Sequence, residues 1–374
     1  MVAAVEAGIL LTAFNVLFWV RGMVDGPARN DFRLDYATAQ IGLARGWDRI
    51  YSLNVQAMTM QNDGFFFQPY ISPPALSFAA APLTGLPFGM ALALWTIALV
   101  AGLACTWWLL APGGHLEKAM QLALCLGLFP VVFAITIGQP APFGAVVIAI
   151  VWWLLKRQRE WEAGLVLSLI VVKPQLGFLV PLALLAAGHV KAFLGWLASS
   201  AVLGALFFAA VGPAGVRDYL ADLTMASHWT LTQHFTIGEL VGHGSSLLMI
   251  QIGLLVLTVC GAWLQRHRGP ELPLAIGISG SLLVTPYIGF QDFLMLVVAA
   301  WLTLRVTASP VIVAVIAAGY VALEFGLMFG TLPVVICELA FLVAICFAGV
   351  HAGVAVRERV GSALAPRAVM KTAD

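Results

Sequence analysis

The chain has 374 residues, of which 61% are hydrophobic and only 10% charged. Soluble globular proteins run at about 45–50% apolar and ~25% charged, so the balance excludes an ordinary soluble enzyme and points to a polytopic membrane protein. A formal net charge of +1 excludes a strongly basic nucleic-acid binder.

A helix needs roughly 20 apolar residues to cross a bilayer. Spans are read near 3–22, 88–111, 119–137, 141–155, 191–211, 244–264, 271–287, 289–305, 309–327 and 331–350. The first run has no basic leader and no small-residue cleavage site, so it reads as a membrane helix rather than a removed signal. Two shorter apolar stretches, 163–172 and 175–188, meet at "VKPQ". They read as short or tilted helices whose junction lies at membrane depth, where it must be buried in protein or line a watery cavity. The expectation is a single all-α transmembrane domain over 1–374 with about twelve helices. The five cysteines sit in apolar runs without paired metal-type spacing and read as small lipid- or core-facing residues, not disulfides or ligands.

Twelve Lys and Arg residues fall in loops on one side, among them Lys118, Lys156, Arg157, Arg266 and Arg305; six fall on the other, and Lys173 lies within the membrane. The positive-inside rule then makes both termini cytoplasmic. It leaves two long outer loops, 23–87 and 212–243, and a basic cytoplasmic tail, 351–374, suited to anionic lipid.

The first outer loop opens with "DFRLDYATAQIGLARGWDRIY", whose six charges stand out in so apolar a chain. Tyr36, Leu43, Trp47, Ile50 and Tyr51 fall near helical spacing, with Gly46 as the end of the first helix. Downstream, Pro69, Pro73, Pro74, Pro82 and Pro87 forbid a continuous helix and predict an irregular return to the membrane. Asp31 and Asp35 share one helical face. Spacing alone leaves two readings, a helix N-cap at Asn30 or Asp31 on a wet surface, or a paired-carboxylate site.

Intramembrane charge is the second signal. Lys173, between "LIVV" and Pro174, is costly in hydrocarbon and marks a functional site, unless it snorkels to an interface or pairs with a carboxylate such as Glu324 or Glu338. Asp292 and Glu324 invite the same two readings. Gln139 is either a helix-start amide or a phosphate or sugar ligand. In the second loop His228, His234 and His243 lack metal-ligand spacing, so no metal site is expected there.

Taken in order, these stretches resemble a known family. "DFRLDY" with Gly46 and Tyr51, then "PYISPPAL", "PLTGLPFGMALALW", "GQPAPFG", "AGLVLSLIVVKPQ" and "TPYIGFQDFLML" are similar to the motifs of bacterial polyprenyl-phosphate-mannose-dependent α-(1→2)-mannosyltransferases, glycosyltransferase family 87 of the GT-C superfamily. The chain departs from the pattern at Asp292, where a His is common, and lacks an Asn at "GQPAPF" and at "VGHGSS"; these changes leave the donor sugar open between mannose and a pentose.

The resemblance implies a GT-C-like bundle in the bacterial inner membrane, its site facing the periplasm. It implies sugar transfer from a polyprenyl-phosphate donor to a glycolipid or polysaccharide acceptor, with Asp31 as catalytic base. Arg33, Gln139, Lys173 and His234 are the candidates for the donor phosphate or sugar, and Asp35, Tyr36 and Asp292 for acceptor binding or orientation. Partners are then the lipid-linked donor, the acceptor and membrane lipids, with no nucleic acid, no cofactor beyond the donor substrate and no obligatory metal. The alternative is a transporter or flippase of lipid-linked sugars, which predicts inverted repeats and broken helices in both halves.

Overall fold

The computed structural model describes residues 10–18, 20–21, 30–227, 229 and 234–348. His228 and the tail 351–374 lie outside them. The described residues form α- and 3-10 helices with no strand. Three helices are long and apolar enough to cross a membrane: Phe88–Leu110, Val190–Ala226 and Ser245–Leu264. At 1.5 Å per residue the first is about 35 Å long, which covers a hydrocarbon core of ~30 Å. The bent pair His115–Leu126 and Phe129–Thr136 is a fourth span if counted as one. The other apolar helices, such as Ala141–Lys156, Glu271–Val284, Pro310–Glu324 and Thr331–Cys346, have 10–17 residues.

This is an all-α membrane protein, and its exterior shows why. Leu206, Phe208, Leu248, Met249 and Met328 are exposed, while Lys173, Asp292, Glu271 and Glu338 are buried. An apolar exterior suits lipid rather than water, and charged groups in a lipid-surrounded bundle face its interior.

Several breaks follow local chemistry. At the expected junction, Glu160–Leu167 tightens into the 3-10 turn Ser168–Val172, Lys173 takes φ −151° and ψ 82°, and Pro174–Leu176 restarts as another 3-10 turn. Pro174 has no N–H to continue a ladder and pushes Lys173 out of the helical region. The span expected at 119–137 is instead bent by 67°. There the Glu324 carboxylate accepts the Phe129 N–H at 2.7 Å, so one intramembrane acid serves as a cap. Gly212, at φ 69°, breaks Val190–Ala226 just before Pro213, where the span was expected to end.

Within the segment expected as the first outer loop, the described residues 30–87 are more regular than the prolines predict. Phe32–Arg45 ends at Gly46 (φ 102°), as expected, and is followed by Trp47–Arg49, Leu53–Asn62 and the seven-residue helix Pro74–Ala80, which starts on its own proline. Aromatic rings seat this unit on the bundle. Phe32 stacks on Trp95 with centroids 4.7 Å apart, Tyr36 meets Phe88 edge-on at 5.4 Å, and Tyr51 touches Tyr219 at 4.6 Å. Each such pair contributes about 0.5–1.5 kcal/mol beyond area burial. Ile50 and Tyr51 are buried as the spacing predicts, but Leu43 is 60% exposed because its face of the helix is uncovered.

Candidate active site

Asn30 decides what Asp31 is free to do. Its Oδ1 accepts the Phe32 N–H at 2.9 Å, capping helix Phe32–Arg45. Its Nδ2 donates to the Thr136 carbonyl at 2.7 Å, and the Asp31 N–H donates to the Ile137 carbonyl at 2.7 Å. These bonds clamp the helix start onto the turn before Gln139. Gly138 makes the approach feasible, since its φ is 72° and a Cβ there would collide with Asn30 Oδ1. Asp31 occupies the N-cap position but makes no capping bond with its side chain.

The Asp31 carboxylate turns inward instead. Gln139 Nε2 donates to Oδ2 at 2.7 Å, and Arg33 Nη1 approaches Oδ1 at 3.4 Å. Arg33 is itself buried and fixed by the Asn30 carbonyl at 2.9 Å and Gln68 Oε1 at 2.9 Å. Gln139 Oε1 accepts from Lys173 Nζ at 2.8 Å, and Lys173 Nζ bonds Asp292 Oδ1 at 2.5 Å. Asp292 Oδ2 closes the series by accepting the Gly289 N–H at 3.0 Å, which caps the turn Phe290–Phe293. Four segments far apart in sequence thus meet in one run of charge-assisted hydrogen bonds. The ion-pair reading of Lys173 holds, with Asp292 as partner rather than Glu324 or Glu338.

Exposure separates the acids. The Asp292 side chain is fully buried, Asp35 is 5% exposed and the Asp31 side chain 26% exposed. Burial pushes the Asp35 carboxyl well above the ordinary carboxylate range; neighbouring Asp31 pushes the same way, while Lys173 and the Tyr70 hydroxyl oppose. Tyr36 donates to the Leu86 carbonyl at 2.8 Å, so its hydroxyl braces the loop and its ring packs in the aromatic seat.

His234 stands apart from the cluster. Its Nδ1 lies 2.9 Å from Glu239 Oε1, and the side chain is half exposed. The next residue, Phe235, packs on Phe290 at 4.9 Å and on Phe293 at 6.0 Å, against the turn that carries Asp292. Tyr287 was not singled out by sequence, yet it lies within electrostatic reach of both Asp31 and Asp292. Its signal was its place, directly after Thr285-Pro286 in the late hairpin.

Such a layout, a part-exposed carboxylate among fixed donors one amide from a buried cation in a helical membrane protein, suits a membrane-embedded enzyme. The family model for glycosyltransferase family 87 matches residues 70–322, more than half of the chain, and the chain belongs to that family. It is a glycosyltransferase. Gln139, Lys173, His234 and Asp292 lie inside the matched segment, and Asp31, Arg33, Asp35 and Tyr36 precede it. No curated protein and no solved structure matches the chain.

Proposed function

We propose that this glycosyltransferase moves a sugar, mannose or a pentose, from a polyprenyl phosphate to an acceptor hydroxyl at the outer face of the bacterial inner membrane, with inversion. The observation that carries this reading is the relay Asp31–Gln139–Lys173, in which the only partly exposed acid of the cluster sits one amide away from a buried ammonium.

The chemistry follows from the charges. Asp31 takes the proton from the acceptor hydroxyl as its oxygen attacks the anomeric carbon. The bond from that carbon to the phosphate oxygen breaks, and its electron pair stays on the departing polyprenyl phosphate. That leaving group is already an anion, so it needs cations and donors rather than a proton. Lys173 and Arg33 supply charge, Gln139 supplies a donor, and Asp292 holds Lys173 in place. One carboxylate suffices, unlike glycoside hydrolysis, which uses two.

About twelve membrane crossings, cytoplasmic termini and outward-facing loops 23–87 and 212–243 belong to this proposal. Lys118, Arg157, Arg266 and Arg305, all among the cations counted for the cytoplasmic side, sit over Trp rings at 5.2, 3.7, 4.0 and 4.4 Å, a pairing suited to a membrane interface on either face.

The test is transfer by purified protein in lipid nanodiscs, from a panel of polyprenyl-phosphate sugars to membrane lipid extracts, wild type against Asp31→Asn. Transfer by wild type and its loss in a folded, donor-binding variant support the reading. Movement of lipid-linked sugar across vesicles, with no transfer, overturns it in favour of a transporter.

A further inference from the structure

At the far end of helix Phe32–Arg45 from Asp31 lies a cleft of about 400 Å³ that the transfer chemistry does not use. Its polar lining comes from Gln40, Arg45, Thr59, Asn62, Asp63 and Thr84. Small-ligand sites span roughly 300–1,000 Å³, so one to two sugar rings fit its scale. The Gln40 side-chain oxygen is buried with no hydrogen-bond partner among the described residues. A buried acceptor left unpaired in this way is unfavourable unless a donor reaches it.

The lining selects the ligand by charge. Arg45 and Asp63 cancel, and the remaining groups are two amides and two hydroxyls. A phosphate or polyanion finds a single cation opposed by a carboxylate. A neutral polyhydroxy ligand finds both donors and acceptors, with exposed Leu43 as an apolar surface for the face of a ring. We infer that this cleft is a glycan-binding subsite, separate from the reacting centre, that holds the body of an oligosaccharide or polysaccharide acceptor. The inference rests on the proposed outer-face transfer for its biological sense, but the binding stands or falls by itself.

Asp31 and Gln40 are nine positions apart, about 13 Å along the helix axis and about half a turn round it. A monosaccharide at Asp31 cannot touch the cleft; an acceptor that occupies both must be a chain long enough to pass round the helix as well as along it.

The test uses full-length protein in nanodiscs and fluorescently labelled manno-, gluco- and arabino-oligosaccharides of about six units, chosen to pass round the helix as well as along it. One cleft variant combines Asn62→Ala with Asp63→Ala; a second, Thr59→Trp, fills the cleft, and thermal melting checks both folds. The expected result is that one six-unit series binds wild type and Asp31→Asn alike and binds at least about ten-fold more weakly to both cleft variants (a ten-fold change is ~1.4 kcal/mol). If no six-unit probe binds, or the folded cleft variants bind it like wild type, the inference is overturned. Sugar transfer to short acceptors together with cleft-independent binding overturns the inference and leaves the transfer reading standing. Cleft-dependent binding without any transfer does the reverse.

Discussion

Asp31 and Lys173 are joined by a single amide: Gln139 donates to Asp31 Oδ2 at 2.7 Å and accepts from Lys173 Nζ at 2.8 Å. The amide fixes the orientation of both charged groups while keeping them from neutralising each other directly. Each keeps bonding capacity beyond this amide, Asp31 toward Arg33 and Lys173 toward Asp292.

Asp31→Asn removes the base and keeps the shape and the Gln139 contact after an amide flip. General-base catalysis contributes about 10²–10⁴-fold, so kcat is expected to fall by that order. Donor binding, read by a lipid-phosphate competition assay, is expected to stay within a few-fold. A variant that turns over normally removes Asp31 from the mechanism.

The Lys173–Asp292 pair is buried on both sides, at 9% and 0% side-chain exposure. Breaking such a pair from one side leaves a lone buried charge and costs about 3–5 kcal/mol, whereas replacing both partners by apolar groups can be neutral. Asp292→Ala is therefore expected to lower the melting temperature in detergent more than the double variant Lys173→Met/Asp292→Met does. The double variant is expected to fold but not to transfer sugar. Equal melting of the two variants would show that the pair is not energetically coupled.

Gly138→Ala tests the clamp. The residue sits at φ 72°, and a Cβ would meet Asn30 Oδ1. Strain of this kind costs on the order of 1–3 kcal/mol, and relief requires the helix start to lift away from the Gln139 turn. Activity is expected to fall along with stability, although no chemical group has been removed. Gly85→Ala, where a Cβ meets nothing within 4 Å, is the control.

Asp35 predicts a pH effect on stability. Its folded-state pKa is raised, so the native state binds more protons than the unfolded chain between the unfolded value, about 3.9, and the folded value. Stability from this group is complete below about pH 4 and declines as pH rises toward the folded pKa. Asp35→Asn is expected to remove that decline, making the variant relatively more stable at neutral pH than at pH 4. Asp222, pushed up to about 6 by burial and by Asp218, acts in the same sense over a window that closes near pH 6. Melting curves across pH for both Asn variants measure each part separately.

Much of the site was legible in the chain because membrane burial makes charge conspicuous. Lys173 beside Pro174 announces itself by its cost in hydrocarbon, and the proline predicts the break that the backbone shows at φ −151°. Asp31, Gln139 and Asp292 were each readable as candidates within short motifs. Their partners were not, since Gln139 lies 108 residues from Asp31 and Asp292 lies 119 from Lys173. The second-loop His234 shows the converse: a residue type suited to phosphate was readable, but its bond to Glu239 depends on how that loop folds.

Composition by itself determined the solvent: a chain this apolar must satisfy its backbone internally, and helices do so using only local bonds. The family motifs determined the class of reaction. Only the tertiary structure decided that Asn30 caps its helix and frees Asp31, that the intramembrane lysine pairs with Asp292, and that Glu324 caps a bent helix instead. The physical reason is that hydrophobic periodicity records which face is buried, not what it is buried against. A buried charge must find its partner across the fold, and that choice is made by packing geometry rather than by any local pattern.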